Sequence, residues 1–113
     1  MRSIIGRNRF NHKGLQVGYW EHYYPLGNLF RKGLYRGGLC EGCWEYYYPG
    51  GGLCSKGLFV RGKMDGMWED YYRNGKLHFK GLFKDGKREG IWEYYKEDGE
   101  LDCIRTYKEG EEI

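Results

Sequence analysis

Gly66-Met67-Trp68-Glu69-Asp70-Tyr71-Tyr72-Arg73-Asn74-Gly75-Lys76-Leu77 decides the fold, because the same stretch recurs along the chain at a fixed step of 24 residues. Its core is Gly-x-Trp-Glu, which also appears as Gly18-Tyr19-Trp20-Glu21, Gly42-Cys43-Trp44-Glu45 and Gly90-Ile91-Trp92-Glu93. Tyr23, Tyr47, Tyr71 and Tyr95 follow the tryptophans, then the turn glycines Gly27, Gly51, Gly75 and Gly99 and the leucines Leu29, Leu53, Leu77 and Leu101. Lys-Gly-Leu triplets begin at Lys32, Lys56 and Lys80. A fixed period in this range marks stacked units, each unable to bury its apolar face alone. Function is therefore expected on a surface spread over several units, not in one catalytic pocket.

Composition agrees with a sheet. The 113 residues include 20 glycines, no alanine, and 21 Phe, Trp and Tyr against 17 Leu, Ile and Val. Such a chain is a poor helix former and suits a pleated, half-buried surface broken by turns. No apolar run approaches the roughly 20 residues of a membrane-spanning helix, so a soluble protein is expected. The start, Met1-Arg2-Ser3-Ile4-Ile5-Gly6-Arg7, becomes charged before a signal-peptide core develops, which points to a cytoplasmic address.

Asn74-Gly75 and Asp98-Gly99 read as two-residue hairpin turns with positive φ at both positions. That register places Arg73 opposite Lys76, Glu69 opposite Lys80, Glu45 opposite Lys56 and Glu21 opposite Lys32. It also sets Trp20 across from Gly33, Trp44 from Gly57 and Trp68 from Gly81, so that glycine leaves room for each indole. Asp85-Gly86 supplies a second turn of this kind between copies and leaves Trp92 beside Phe79. The predicted fold is all-β: a single-layer meander of repeated antiparallel hairpins, two strands per repeat. Four repeats at about 4.8 Å per strand predict a ribbon around 40 Å long. Residues 1–17 form an N-terminal half repeat, 18–41, 42–65 and 66–89 full repeats, and 90–113 a C-terminal capping repeat of one domain.

Strand alternation assigns the faces. One carries Trp20, Trp44, Trp68 and Trp92 with Tyr24, Tyr46, Tyr48, Tyr72 and Tyr94. The other carries the Glu–Lys pairs, Tyr23, Tyr47, Tyr71 and Tyr95, and Leu34, Leu58 and Leu82. A single layer cannot cover both faces, so the Trp/Tyr face is expected to expose part of its aromatic surface as a groove for a protein partner, with Tyr and Trp as anchors.

The run Tyr-Tyr-x-x-Gly-x-Leu, then Lys-Gly-Leu-Phe, then x-x-Gly-x-x-x-Gly resembles the MORN repeat in its bacterial and viral variant form, over nearly the whole chain. Trp stands where the eukaryotic repeat has a second glycine, and the period is one residue longer. The resemblance implies a hairpin array used for binding. Eukaryotic members are linked to membrane phospholipids and protein scaffolding, and bacterial variant-repeat proteins to the antitoxin side of toxin–antitoxin pairs. An antitoxin-like neutraliser is thus the leading specific form, and an anionic-phospholipid module the alternative.

The ends read as polar caps. Arg2, Arg7, Arg9 and Lys13 make the N-terminus basic and are the candidate lipid contacts. At the other end Ile104 and Arg105 replace the periodic Lys and Gly, and Lys108-Glu109-Gly110-Glu111-Glu112 closes the chain with charge. Opposite ends of this kind allow a monomer or a weak end-to-end oligomer. Cys40-Glu41-Gly42-Cys43, with Cys54 near it, has zinc-like spacing. However, the equivalent positions elsewhere hold Met64 and Arg88, or Tyr19, Met67 and Ile91, so free thiols and no metal are expected. His12, His22 and His78 fall in separate units, away from Ser3 and Ser55, and no enzyme or cofactor is read. A net charge of only +3 weighs against nucleic acid, despite the aromatics among basic residues.

Overall fold

The computed structural model describes residues 7–113. They form one antiparallel sheet of ten strands in sequential order. The strands are β1 (Arg9–Phe10), β2 (Gln16–Tyr23), β3 (Leu29–Arg36), β4 (Leu39–Tyr47), β5 (Leu53–Val60), β6 (Lys63–Tyr71), β7 (Leu77–Lys84), β8 (Lys87–Tyr95), β9 (Leu101–Lys108) and β10 (Glu111–Glu112). The ribbon measures 46 × 31 × 17 Å, its length set by strand count as the repeat predicts. Among the described residues no helix is long and apolar enough to cross a membrane.

Two kinds of turn alternate. Between repeats, Gly37-Gly38, Arg61-Gly62, Asp85-Gly86 and Glu109-Gly110 have positive φ at both positions, as expected for Asp85-Gly86. Within repeats, Asn74-Gly75 and Asp98-Gly99 depart from the expected form, because only Gly75 (φ 90°) and Gly99 (φ 98°) are left-handed. Gly75 N–H donates to Tyr72 O at 2.9 Å and Tyr72 N–H to Lys76 O at 2.8 Å, which makes a loop one residue longer than predicted. The Asn74 side chain accepts the Lys76 N–H at 2.8 Å, a local bond that its own left-handed conformation is not needed for. Arg73 and Lys76 therefore do not pair. His78 bulges out between the Asp70↔Phe79 and Tyr71↔Leu77 pairs and absorbs the extra residue, so Glu69↔Lys80 and Trp68↔Gly81 stand as predicted.

The glycines make room for a different ring from the one expected. A Cβ on Gly33 would lie 2.3 Å from Trp44, on Gly57 2.0 Å from Trp68 and on Gly81 2.1 Å from Trp92. Each strand glycine thus seats the indole of the following repeat, not that of its own hairpin. Trp92 does not pair with Phe79: an irregularity between Lys80 and Leu82 shifts the register so that Phe79 faces Tyr94. The two rings nevertheless lie 6.0 Å apart.

Because Trp44, Trp68 and Trp92 each lie across the strand glycine of the preceding repeat, the Trp face packs as the core. Trp44 and Trp92 have no exposed surface, and Trp20 is 9% exposed. Trp44 meets Tyr35 edge-on at 4.9 Å and donates its N–H to Leu34 O at 3.0 Å. Trp92 meets Phe83 at 5.1 Å and donates to Leu82 O at 3.1 Å. Trp20 is closed by Phe10 of β1 at 5.0 Å. The expectation that this aromatic ladder is presented to a partner is corrected for Trp44 and Trp92, which have no exposed surface, while Trp20 keeps only a small exposed part.

Both edges are capped. At β2 the Asn8 side chain accepts the Glu21 N–H at 2.9 Å and donates to Glu21 O at 3.3 Å, imitating a neighbouring strand. On β9, Arg105 stands in the glycine row and is held by Glu112 at 3.0 Å, filling the seat that another indole would need. Both features oppose strand addition at the ends.

Candidate interaction surface

The opposite face is built on a charge ladder. Each lysine lies in register with glutamates on both sides: Glu21↔Lys32↔Glu45, then Lys56↔Glu69, then Lys80↔Glu93. The close ion pairs run to the following repeat, Lys32–Glu45 at 3.5 Å, Lys56–Glu69 at 3.7 Å and Lys80–Glu93 at 3.6 Å. The pairs therefore tie hairpin to hairpin instead of closing each hairpin as expected. Arg7 meets Glu21 and extends the ladder at the N-terminal end. The three Lys–Glu pairs are a third or so exposed, so each contributes under about 1 kcal/mol and acts mainly on register.

Tyrosines complete the ladder. Tyr47 donates to Glu45 at 2.7 Å, Tyr71 to Glu69 and Tyr95 to Glu93 at 2.9 Å each, and Tyr23 also donates to Glu21. Burial first, and then the bond to Glu69, pushes the Tyr71 phenol up to about 12; Tyr47 is raised further for the same reasons. A raised folded pKa keeps its stabilisation below the unfolded value near 10 and loses it as pH rises through the folded value. Tyrosine absorbance followed from pH 9 to 13 should therefore show the Tyr71 phenol ionising about two units later than in the unfolded chain, with stability falling across that window. A normal titration with all phenols near 10 would remove the Tyr–Glu contacts from solution.

Beside the ladder runs the exposed apolar surface. Cys43 pairs with Leu58, Met67 with Leu82 and Ile91 with Thr106, and Tyr19↔Leu34 continues the row at the N-terminal side. Leu34 is 50% exposed, Leu58 43%, Met67 45%, Leu82 45% and Ile91 63%. Met67 joins two adjoining depressions. One of about 210 Å³ is lined by Cys43, Leu58 and Met67 with Glu45, Lys56 and Glu69. The other, about 580 Å³, is lined by Met67, Leu82 and Ile91 with Lys80 and Glu93. Leu34, Leu58 and Leu82 lie on the face that strand alternation predicts, but the open groove is on this face and not on the Trp face where it is expected. The signal was available in the row Tyr19, Cys43, Met67 and Ile91, opposite leucine in the first three copies and Thr106 in the last, with no large partner row to cover it.

The remaining candidate aromatics have structural partners. Tyr24 donates to Tyr47 O and Tyr72 to Tyr95 O, both at 2.6 Å, and Tyr48 to Tyr71 O, each strapping one repeat to the next. Tyr94 and Tyr107 share a hydrogen bond at 3.2 Å, and Tyr46 leans on Trp68 at 5.9 Å. Trp68 alone of the four tryptophans is only partly buried. Of the basic cluster, Arg7 is engaged with Glu21, Arg9 and Lys13 are exposed, and Arg2 lies outside the described residues.

Cys40 packs into the aromatic core while Cys43 is exposed on the ladder side, so the Cys-x-x-Cys pair is split between faces and cannot grip one ion. One association went unread in the sequence: Asp70, opposite Ser55, accepts from His78 Nδ1 at 3.2 Å. The bulge that displaces His78 brings them together, and such bulges are not visible in spacing alone. In a nucleophilic triad the histidine stands between hydroxyl and carboxylate. Here Asp70 occupies the strand between Ser55 and His78, which is not an activating order.

No curated protein matches the chain. The MORN repeat variant family matches at residues 16–36, 41–61, 64–85 and 88–109, one match on each hairpin from β2–β3 to β8–β9. Four consecutive matches spanning most of the chain, on hairpins that stack in one open sheet, show that it belongs to the MORN repeat variant family.

Proposed function

We propose that the protein is a non-catalytic docking module that binds a protein partner through the apolar row on its ladder face. The observation that carries this reading is the exposure of Leu34, Cys43, Leu58, Met67, Leu82 and Ile91 along one face from β3 to β8. The flanking charges already neutralise one another, so burial of apolar surface supplies the affinity, and Met67 with its soft side chain adapts to the partner. Neutralisation of a toxin by covering its surface is the specific form this takes, consistent with a module that offers area instead of a reactive pocket. The depressions around Met67 are the anchor points.

The test compares wild type with a Met67→Asp/Leu82→Asp variant, both checked for an unchanged melting transition. A stoichiometric partner captured from the source organism should stay bound in 0.5 M salt and be lost by the variant. Retention of the partner by the variant would overturn the assignment of this face. Sedimentation with anionic vesicles that disappears in salt, with no protein captured, would replace it with the phospholipid reading.

A further inference from the structure

The repeats differ in what covers their tryptophans. In the first junction the Arg31 guanidinium lies 5.2 Å from the Trp44 ring and donates to Tyr35 OH at 3.2 Å. In the last, Arg88 lies 5.1 Å from Trp92 and donates to Tyr107 OH at 3.1 Å. Both distances are within the range where a cation is attracted to an indole face. Over Trp68 no cation is found among the described residues. Ser55 stands where Arg31 stands two strands earlier, and Met64 stands where Arg88 stands one repeat later.

Trp68 differs in two further ways. The carbons of its six-membered ring, not its five-membered ring, lie nearest Gly57, whereas Trp44 and Trp92 set Cγ, Cδ2 and Cε2 over their glycines. Turned this way, its N–H makes no hydrogen bond among the described residues, while the other three indoles are all bonded. Trp68 is also only partly buried. Around it stand Tyr46 at 5.9 Å and the edges of Phe59 and Phe83 at 6.1 Å each. Two residues along the same strand and face, Asp70 offers a carboxylate whose neighbour is His78 at 3.2 Å.

We propose that Trp68, walled by Tyr46, Phe59 and Phe83 and bordered by Asp70, is a binding site for a cationic side chain, lysine or arginine, of a partner protein. The third repeat leaves open to an outside cation the position that Arg31 and Arg88 fill from within the chain. Aromatic walls supply the ring attraction and Asp70 the opposite charge, the pairing that recognises a cation and not an apolar group. Met64 packs against this cluster, and its unbranched thioether can swing aside as a branched residue could not. This site lies on the face opposite the apolar row and does not depend on it.

The test uses n-butylguanidinium as probe, with N-butylacetamide as its neutral counterpart, and reads the indole N–H resonances at pH 7.5, the Trp68 signal being identified by its loss in Trp68→Phe. The Trp68 signal should move saturably with the cation, while those of Trp44 and Trp92 hold still. Asp70→Asn should weaken the response about two- to fivefold, the share expected of one partly exposed charge contact. Met64→Arg, which rebuilds the internal lid of the last repeat, should abolish it with the fold intact. An equal response to the neutral probe, no response to either, or an undiminished response in Met64→Arg would overturn the proposal. Loss of partner capture in Met67→Asp/Leu82→Asp bears only on the ladder face and leaves this result unaffected.

Discussion

Gly81→Ala is expected to cost about 3 kcal/mol or more, a large part of the 5–15 kcal/mol that holds a domain of this size. The added Cβ would sit 2.1, 2.3 and 2.4 Å from Cδ2, Cε2 and Cγ of Trp92. Those atoms belong to a rigid ring with no exposed surface, pinned by its N–H bond to Leu82 O, so the clash cannot be relieved by rotating a flexible end. Either the indole leaves its seat or β7 and β8 separate. Gly75→Ala is the matching control: nothing lies within 4 Å of its Cβ, and only the left-handed φ of 90° resists. That strain is worth about 1–2 kcal/mol. Urea denaturation of both variants decides the matter, and a Gly81→Ala penalty no larger than that of Gly75→Ala would refute the seating of Trp92 on Gly81. A Gly81→Ala/Trp92→Leu double variant should lose less than the sum of its parts, since a smaller side chain above the new methyl removes the clash.

The second large effect separates core tryptophans from the open one. Trp92→Ala should lose about 3–5 kcal/mol, the range for emptying a fully buried aromatic site, and in a single-layer sheet this should unfold much of the chain at room temperature. The ring contacts Phe79, Phe83 and Tyr107, and Arg88 stacks on it, so its removal exposes the C-terminal repeat from within. Trp68→Ala, lacking an N–H bond and already part exposed, should lose only about 1–2 kcal/mol of apolar burial. Equal losses at the two positions would show that Trp68 is as fully packed in solution as Trp92, and the cation site would lose its physical basis.

Much of the functional surface is a consequence of this packing asymmetry. The face with the larger side chains becomes the interior because large rings laid across glycines cover one another from repeat to repeat. The face with leucine, methionine and isoleucine beside a charge ladder stays open because its side chains stand between Lys and Glu and have no neighbouring layer. An inspection of residue size alone ranks the tryptophans as partner anchors, yet size is also what lets them close the sheet on themselves.

The sequence by itself determined the all-β repeat, its period, the Glu–Lys register and the separation of the two faces, because these follow from the two-residue alternation of a strand and from turn glycines at constant spacing. It also carried a departure from the repeat, in Arg105 at the position of Gly33, Gly57 and Gly81. Only the tertiary structure decided which junction each indole fills, which glutamate each lysine joins and which face is left open. Those outcomes depend on the direction in which a side chain leans across a strand, and on bulges at His78 and between Lys80 and Leu82 that shift neighbours by a residue or more. A repeat pattern records that every unit has the same parts. Whether a ring leans forward within its own hairpin or back onto the preceding one is settled by packing against a neighbour that the unit alone does not contain.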